Sequence, residues 1–410
     1  MAAERKPVDD ADDLVRGLDD VEELLKRIPG AKRAVDELHD LRSLLVGRRA
    51  PRVAVLGRRG SGKSTLGNAL LGAEVLATGA VEDTTRTAAW VDLTVHGDAV
   101  RWLDTPGLRA GGRPGRRAEV EAVLRAERPD VLVWTFKATQ VDAGVDEDLA
   151  ELVAVRASVP VAGAAVPVVV VVTKVDELAP AGRRSPPFDD AAHRARIDAA
   201  VETLRAHLAR ALGEAPPVVP VCAWQRFDGG VRTADWRWNV ERLAAEVHGA
   251  LPLVAQLSAA RVFERGKALR RRLAMRFVGG ATSVSFVVGA TPLPFADLAL
   301  LLPLQTTMLT GVVYASGRSW SARAASEWLA GLGVNVGAGM GLREVVRAAL
   351  RWVPGVGATV SGAVAATGTW ALGVAAVRFF IDGATFGEAR AAFDAAAKDG
   401  PPEDAGGSEG

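Results

Sequence analysis

Residues 52–57 read RVAVLG, a short β-branched run ending in glycine, and lead directly into GRRGSGKS at residues 57–64. The pattern is GxxxxGK[ST], with a strand ahead of it and an apolar helical stretch behind it. Glycines at Gly57, Gly60 and Gly62 let the backbone turn its N–H groups inward, and the helix opening at Lys63 adds the positive end of its dipole. Such a loop cradles phosphates. Lys63 is placed to reach β- and γ-phosphates, Ser64 to ligate Mg²⁺, and Thr65 to lie near an α-phosphate. Ser61 and Gly60 complete the loop's expected contacts with a nucleotide. Arg59 has the reach to touch phosphate; the alternative is a solvent-facing position or a contact with neighbouring mobile segments. In a chain with 43 glycines the short pattern alone could arise by chance, so the strand–loop–helix context carries the weight.

Further segments narrow the ligand. Asp104-Thr105-Pro106-Gly107 closes a strand; Asp104 can hold a Mg²⁺-bound water and the Gly107 N–H can sense a γ-phosphate. A lone DTPG would be an ordinary turn, and its order and spacing from the phosphate loop favour the ligand role. Thr173-Lys174-Val175-Asp176 follows the apolar run VPVVVVVT, and Thr173, Lys174 and Asp176 are expected to contact the nucleotide. Asp176 can accept hydrogen bonds from both N1–H and the 2-amine of guanine, a pattern adenine lacks, while Lys174 packs its stem along the base. Thr84-Thr85-Arg86 lies between the loop helix and the next strand, and Thr85, ahead of Thr84, is expected to complete the Mg²⁺ shell. Val221-Cys222-Ala223 follows the last strand, where Cys222 and Ala223 could offer backbone to guanine O6; a plain strand end reads nearly as well. The expected ligands are GTP or GDP with Mg²⁺, metal-bound at Ser64, Thr85 and Asp104, with Lys63, Thr85 and Gly107 as the catalytic groups.

Strand-like runs at 88–94, 99–103, 131–135, 168–173 and 218–221 alternate with helical runs at 117–127, 145–155, 191–212 and 240–249. With residues 52–57 this predicts an α/β domain with a mainly parallel six-stranded sheet and one antiparallel edge hairpin turning at Gly97-Asp98. The chain of 410 residues is then partitioned as a disordered start at 1–10, a helical extension at 11–49 broken near Pro29-Gly30, the sheet domain at 50–250, an all-helical Gly/Ala-rich domain at 251–390 and a disordered tail at 391–410. The extension is expected to pack on a neighbouring domain, with an exposed partner surface as the alternative.

The segments GKSTLGNALLG, DTTRT at 83–87, WLDTPG and TKVD, in this order, resemble the Era-like group of the translation-factor-related GTPases, which includes dynamin-like relatives. The resemblance covers about residues 50–250. It implies GTP/GDP cycling with Mg²⁺ and two mobile switch segments near 73–87 and 105–118. Gly60 stands where potassium-activated members have asparagine, so potassium activation is not implied. Leu108 follows Gly107 where Ras-like proteins have glutamine, so slow intrinsic hydrolysis is expected.

Beyond residue 260 the chain resembles a mostly helical domain of unknown function often fused to such GTPases and found in bacterial inner-membrane proteins of the YcjF type. The residues carrying this are Pro292, Pro294, Asp297, Leu304, Gln305, Met308, Pro354, Gly355, Gly357, Thr367 and Trp370. Residues 353–377 contain no charge and are long enough to span a bilayer, yet alanine and glycine give them only a modest drive to insert, and a buried helical hairpin would read the same way. The same ambiguity covers 277–317, whose one charge is Asp297. Basic residues between 265 and 276 would suit an anionic membrane face.

The net charge of +1 argues against a general nucleic-acid binder, and none is expected as a specific partner. One cysteine excludes an intramolecular disulfide and fits a reducing compartment, and the charged N-terminal run does not read as a secretory leader. The expected location is the cytoplasm, with the inner face of the membrane as the alternative. Open partner classes are a membrane or membrane protein, a second copy of the chain, and an activating protein. The expected function is a GTP-hydrolysing regulatory switch; a dynamin-like mechanochemical GTPase and a low-turnover binding scaffold are the alternatives.

Overall fold

A computed structural model describes residues 18–45, 47–77, 88–95, 97–105, 116–141, 145–161, 164–180, 184–264, 266–291, 296–318 and 362–402. The chain divides into two compact units, Arg49–Gly266 and a second formed by Met1–Arg48 with Lys267–Gly410.

The first unit is a six-stranded sheet. Its strands are β1 (Arg52–Gly57), β2 (Ala89–Val95), β3 (Asp98–Asp104), β4 (Val131–Lys137), β7 (Val168–Thr173) and β8 (Val218–Val221). The order is β2-β3-β1-β4-β7-β8. Only the edge pair β2–β3 is antiparallel, turning through Gly97 at φ 84°; the rest pair in parallel. β7 is buried along its whole length, as the uninterrupted valine run requires of a strand covered on both faces.

Alternation sorts the strand residues onto those faces. Ala54, Leu56, Leu132, Trp134, Val170 and Val172 share one core with α4 (Arg116–Ala126), α5 (Val145–Ser158) and α6 (Ala191–Leu212). On the other face, α3 (Lys63–Leu71), α7 (Val240–Ala250) and α8 (Leu253–Val262) lie against β1, β7 and β3 respectively. α8, which the sequence groups with the C-terminal region, therefore belongs to the sheet unit. Two short ribbons escape the sequence reading. One joins β5 (Pro160–Val161) to β6 (Ala164–Ala165), the other joins β9 (Gln225–Asp228) to β10 (Val231–Asp235).

The second unit is helical among its described residues. Residues 18–26 form α1 and Lys32–Leu45 form α2, separated by a turn at Gly30 with φ 82°. α2 packs on α9 (Lys267–Gly289), which also contacts α10 (Ala296–Ala315) and α11 (Gly362–Val377). Small residues set this spacing: a Cβ on Gly311 would overlap the Phe277 ring, and one on Gly373 would overlap Val278. A polar seam crosses the apolar core, with Thr369 Oγ1 receiving Gln305 Nε2 at 2.9 Å and lying 2.9 Å from Ser285 Oγ. α11 continues as a π-turn through Asp382, giving, among the described residues, a 21-residue helix long and apolar enough to cross a membrane, with its apolar window 67% buried.

Residues 391–399, expected in a disordered tail, are helical. α12 (Phe386–Asp399) starts at a capping box in which Thr385 and Glu388 satisfy each other's backbone N–H, and it buries Ala389, Phe393 and Ala396. That apolar spacing is thin because two of the three residues are alanine. Residues 1–10, 319–361 and 403–410 lie outside the described residues.

Candidate nucleotide site

The loop after β1 is held from below by two threonines. Thr135 Oγ1, on β4, donates to Leu56 O at 2.9 Å and stands 2.7 Å from Ser61 Oγ. Thr173 Oγ1, at the end of β7, reaches Ser61 O at 2.7 Å and Phe136 O at 3.1 Å. All three hydroxyls are buried, so these bonds replace lost water contacts. Gly57, at φ 141°, lies so close to β4 that any Cβ would overlap Thr135. Sequence reasoning places Thr173 against the nucleotide; its hydroxyl is engaged beneath the loop. Sequence reasoning misses Thr135, because a threonine ending a buried strand carries no signal of its own.

Above the loop the picture reverses. At Gly60 and Gly62, with φ 74° and 85°, the space a Cβ would take is open among the described residues. Gly62 is the N-cap of α3, so the loop delivers a helix N-terminus with Lys63, Ser64 and Thr65 in its first turn. Lys63 Nζ lies over the loop, donating to Arg58 O at 3.1 Å and Gly57 O at 3.5 Å. Arg59 is exposed. Its neighbour Arg58 is turned to α5, where its Nε donates to Asp148 Oδ1 at 2.6 Å. Nothing in the sequence distinguishes the two arginines, since their difference depends on which one faces α5.

The last strand residue before the DTPG turn is Asp104, paired across to Ala89. Beside it, the buried Thr105 hydroxyl donates to Val55 O at 2.9 Å, pinning the start of that turn to β1. Pro106, Gly107 and Leu108 lie outside the described residues, as do Thr84, Thr85 and Arg86. At the far end of α3, Asn68 is buried, donating to Leu76 O and accepting from Val75 N and Leu76 N, which fixes the chain leaving the helix.

The TKVD turn follows β7. Lys174 is left-handed at φ 57° and ψ 40°, capping a 3₁₀ turn, Val175–Leu178, that contains Asp176. Left-handed backbone is costly for lysine, and such outliers concentrate at functional sites. Glu177 holds the local cations, pairing with Lys137 at 2.8 Å and Lys174 at 3.7 Å. The buried His193 anchors the turn through a 2.8 Å bond between Nε2 and Val175 O. Just past β8, Cys222 is fully buried, and both its backbone groups pair with Trp238, N→O at 3.3 Å and O←N at 2.9 Å. Burial pushes its thiol up to about 12, and the nearby Asp176 carboxylate adds to the shift. Cys222 thus stays a neutral S–H, its N–H is engaged by Trp238 O, and Ala223 beside it is also buried.

A family model described as 50S ribosome-binding GTPase matches residues 52–174, which run from β1 through Lys174. The chain carries a P-loop GTPase domain. Der of Chloroflexus aurantiacus (strain ATCC 29366 / DSM 635 / J-10-fl) is 36% identical to it over 106 residues, 25% of this chain and 24% of that protein. The tRNA modification GTPase MnmE of Acidiphilium cryptum is 38% identical over 157 residues, 37% of this chain and 34% of that protein. Among solved structures, Toc33 from Arabidopsis thaliana with Mg²⁺ and GMPPNP aligns at 19% identity over 55% of this chain and 95% of that chain, with a TM-score of 0.36. The chain spans about a quarter to a third of the length of these curated relatives. GTP or GDP with Mg²⁺ is the ligand set of a P-loop GTPase domain, and the residues present fit it. Among the described residues, the open space over Gly60 and Gly62, the helix N-terminus beneath it and the Lys63 ammonium together form a cationic cradle.

Proposed function

We propose that this protein is a GTP-hydrolysing switch whose sheet unit reads the nucleotide and whose helical unit carries the output. The observation that carries this reading is the Thr173–Ser61 bond, which ties the turn bearing Lys174 and Asp176 to the phosphate loop. A P-loop alone suits any nucleoside triphosphate; a carboxylate turn tied to it supplies a guanine reader.

In this reading the loop amides of Gly57–Gly62 and Lys63 hold the β- and γ-phosphates, and Thr65 lies by the α-phosphate. Ser64 and Thr85 ligate Mg²⁺, with Asp104 acting through a water. Asp176 accepts from guanine N1–H and the 2-amine, Lys174 covers one face of the base, and the Ala223 N–H donates to O6. Lys63 and the Gly107 N–H stabilise charge on the transferred phosphoryl group. Arg59, exposed on the loop, is assigned to phosphate contact, with a solvent-facing position as the alternative.

Leu108 offers no group to orient the attacking water, so intrinsic turnover is slow and rises with an activating partner or a second copy. The apolar segment from Gly362 to Asp382 supports a second reading of the output, in which the helical unit docks on or enters a membrane, as the likeness to YcjF-type proteins implies. Turnover measured against protein concentration, with and without anionic liposomes, tests both. A rise with concentration supports assembly and a rise with lipid supports membrane coupling. A flat, near-zero curve under both, with GTP bound, points to a missing activating partner or to a low-turnover binding scaffold.

A further inference from the structure

The β9–β10 hairpin lies between the last sheet strand and α7, turning through Gly229 and Gly230 at φ 56° and 80°. Its base continues the ladder begun at Cys222: Trp236 N donates to Trp224 O at 3.0 Å and Trp238 N to Cys222 O at 2.9 Å. The segment that runs past the base subsite is therefore clamped from one side by the returning strand.

The same returning strand also grips α3. A helix leaves its last carbonyls without partners in the helix, and they need outside donors when buried. Here Ala69 O receives Arg237 Nη1 at 3.2 Å, Leu70 O receives Glu264 N at 3.1 Å, and Gly72 O receives Arg232 Nη2 at 2.8 Å. Glu264 lies between the two guanidiniums, bidentate to Arg232 at 2.8 and 2.9 Å and bonded to Arg237. Asp235 forks onto Arg237 at 2.9 and 2.7 Å. The Arg237 side chain is 1% exposed, so its charge depends on these partners. Gly72 at φ 70° lies flush against Glu264, leaving no room for a Cβ.

We propose that Arg237 is a positioning residue for guanine-nucleotide binding: it locks the carbonyl end of the P-loop helix to the strand that clamps the base-side segment, holding the phosphate and base subsites in register. This rests on the GTP reading above. α3 acts as a strut with phosphate at its N-terminus and Arg237 at its C-terminus, and Trp236 and Trp238, on either side of Arg237, hold Trp224 and Cys222. Releasing that end lets the phosphate loop and the base turn shift independently, so a guanine anchored at the phosphates no longer meets Asp176 squarely.

The test is equilibrium binding of GTP and ITP, which lacks the 2-amine, to the full-length protein and to Arg237→Lys and Arg237→Met, with thermal melts to establish folding. Wild type should prefer GTP by about tenfold, the worth of one hydrogen bond to a charged group. In a folded Arg237 variant, GTP affinity should drop and the GTP/ITP ratio should fall toward one. A folded variant with the ratio unchanged overturns the proposal, even if its melting temperature has dropped, because a purely structural role moves stability alone. Should Arg237→Met fail to fold, Arg237→Lys, which keeps the charge but loses the planar fork, decides the matter on the same ratio. A wild type that binds neither nucleotide would instead sink the GTP reading itself.

Discussion

Thr173 Oγ1 lies 2.7 Å from the main-chain oxygen of Ser61, across a sequence separation of 112 residues. This one hydroxyl joins the base-side turn to the phosphate loop. With a single proton to give, it is committed to the nearer acceptor, while Phe136 O at 3.1 Å is secondary. Thr173→Val keeps the shape and strips the donor, leaving the Ser61 carbonyl buried without it. The loss should be about 1–3 kcal/mol in denaturant unfolding, together with weaker GTP binding. Unchanged stability in Thr173→Val would mean that water replaces the bond.

Lys174 sits in left-handed backbone at φ 57°. Glycine adopts that conformation without strain, so Lys174→Gly should stabilise the fold by up to about 1 kcal/mol while weakening GTP binding through loss of the stem over the base. A melt and a binding isotherm on the same variant read the two effects with opposite signs. Destabilisation of the glycine variant would show that the side chain contributes more than the strain costs.

Asp176 is proposed to accept two hydrogen bonds from guanine. The amide introduced by Asp176→Asn would accept one and donate one, which suits xanthine, where a carbonyl replaces the 2-amine. GTP affinity should fall by about 100-fold or more and XTP should bind in its place. Equal loss of GTP and XTP in a folded variant would remove Asp176 from base recognition.

The Cys222 thiol, pushed from 9.0 to about 12, gives a pH signature. Its folded value is raised, so the stability it contributes is complete below the unfolded value and is lost as pH climbs toward the folded one. Between those values the unfolded chain releases a proton that the folded chain keeps, and stability falls with rising pH. Cys222→Ser should flatten that part of the curve. At pH 8 a thiol reagent should label native protein only as fast as it unfolds; rapid native labelling would contradict the buried, neutral thiol.

The sheet was legible because its strands advertise themselves: valine runs and a glycine-bearing loop at a strand–helix junction leave few alternatives. Pairing order and the supports beneath the loop were not legible, since Thr135, Arg58–Asp148 and Thr105 act through contacts distant in sequence. The β9–β10 ribbon was missed although Gly229-Gly230 is a turn signal. Its strands, QRFD and VRTAD, are short and polar, and they bury little on either face. The partner of the N-terminal helices was equally hidden, because the apolar stripe of α2 says that it packs without saying on what.

The most direct measurement is Mg²⁺-dependent phosphate release from GTP and from ATP by the full-length protein, with Lys63→Ala as the blank. The account predicts slow release from GTP, little from ATP, and none from either with Lys63→Ala. Equal turnover of ATP and GTP, or GTP turnover that survives Lys63→Ala, would contradict it.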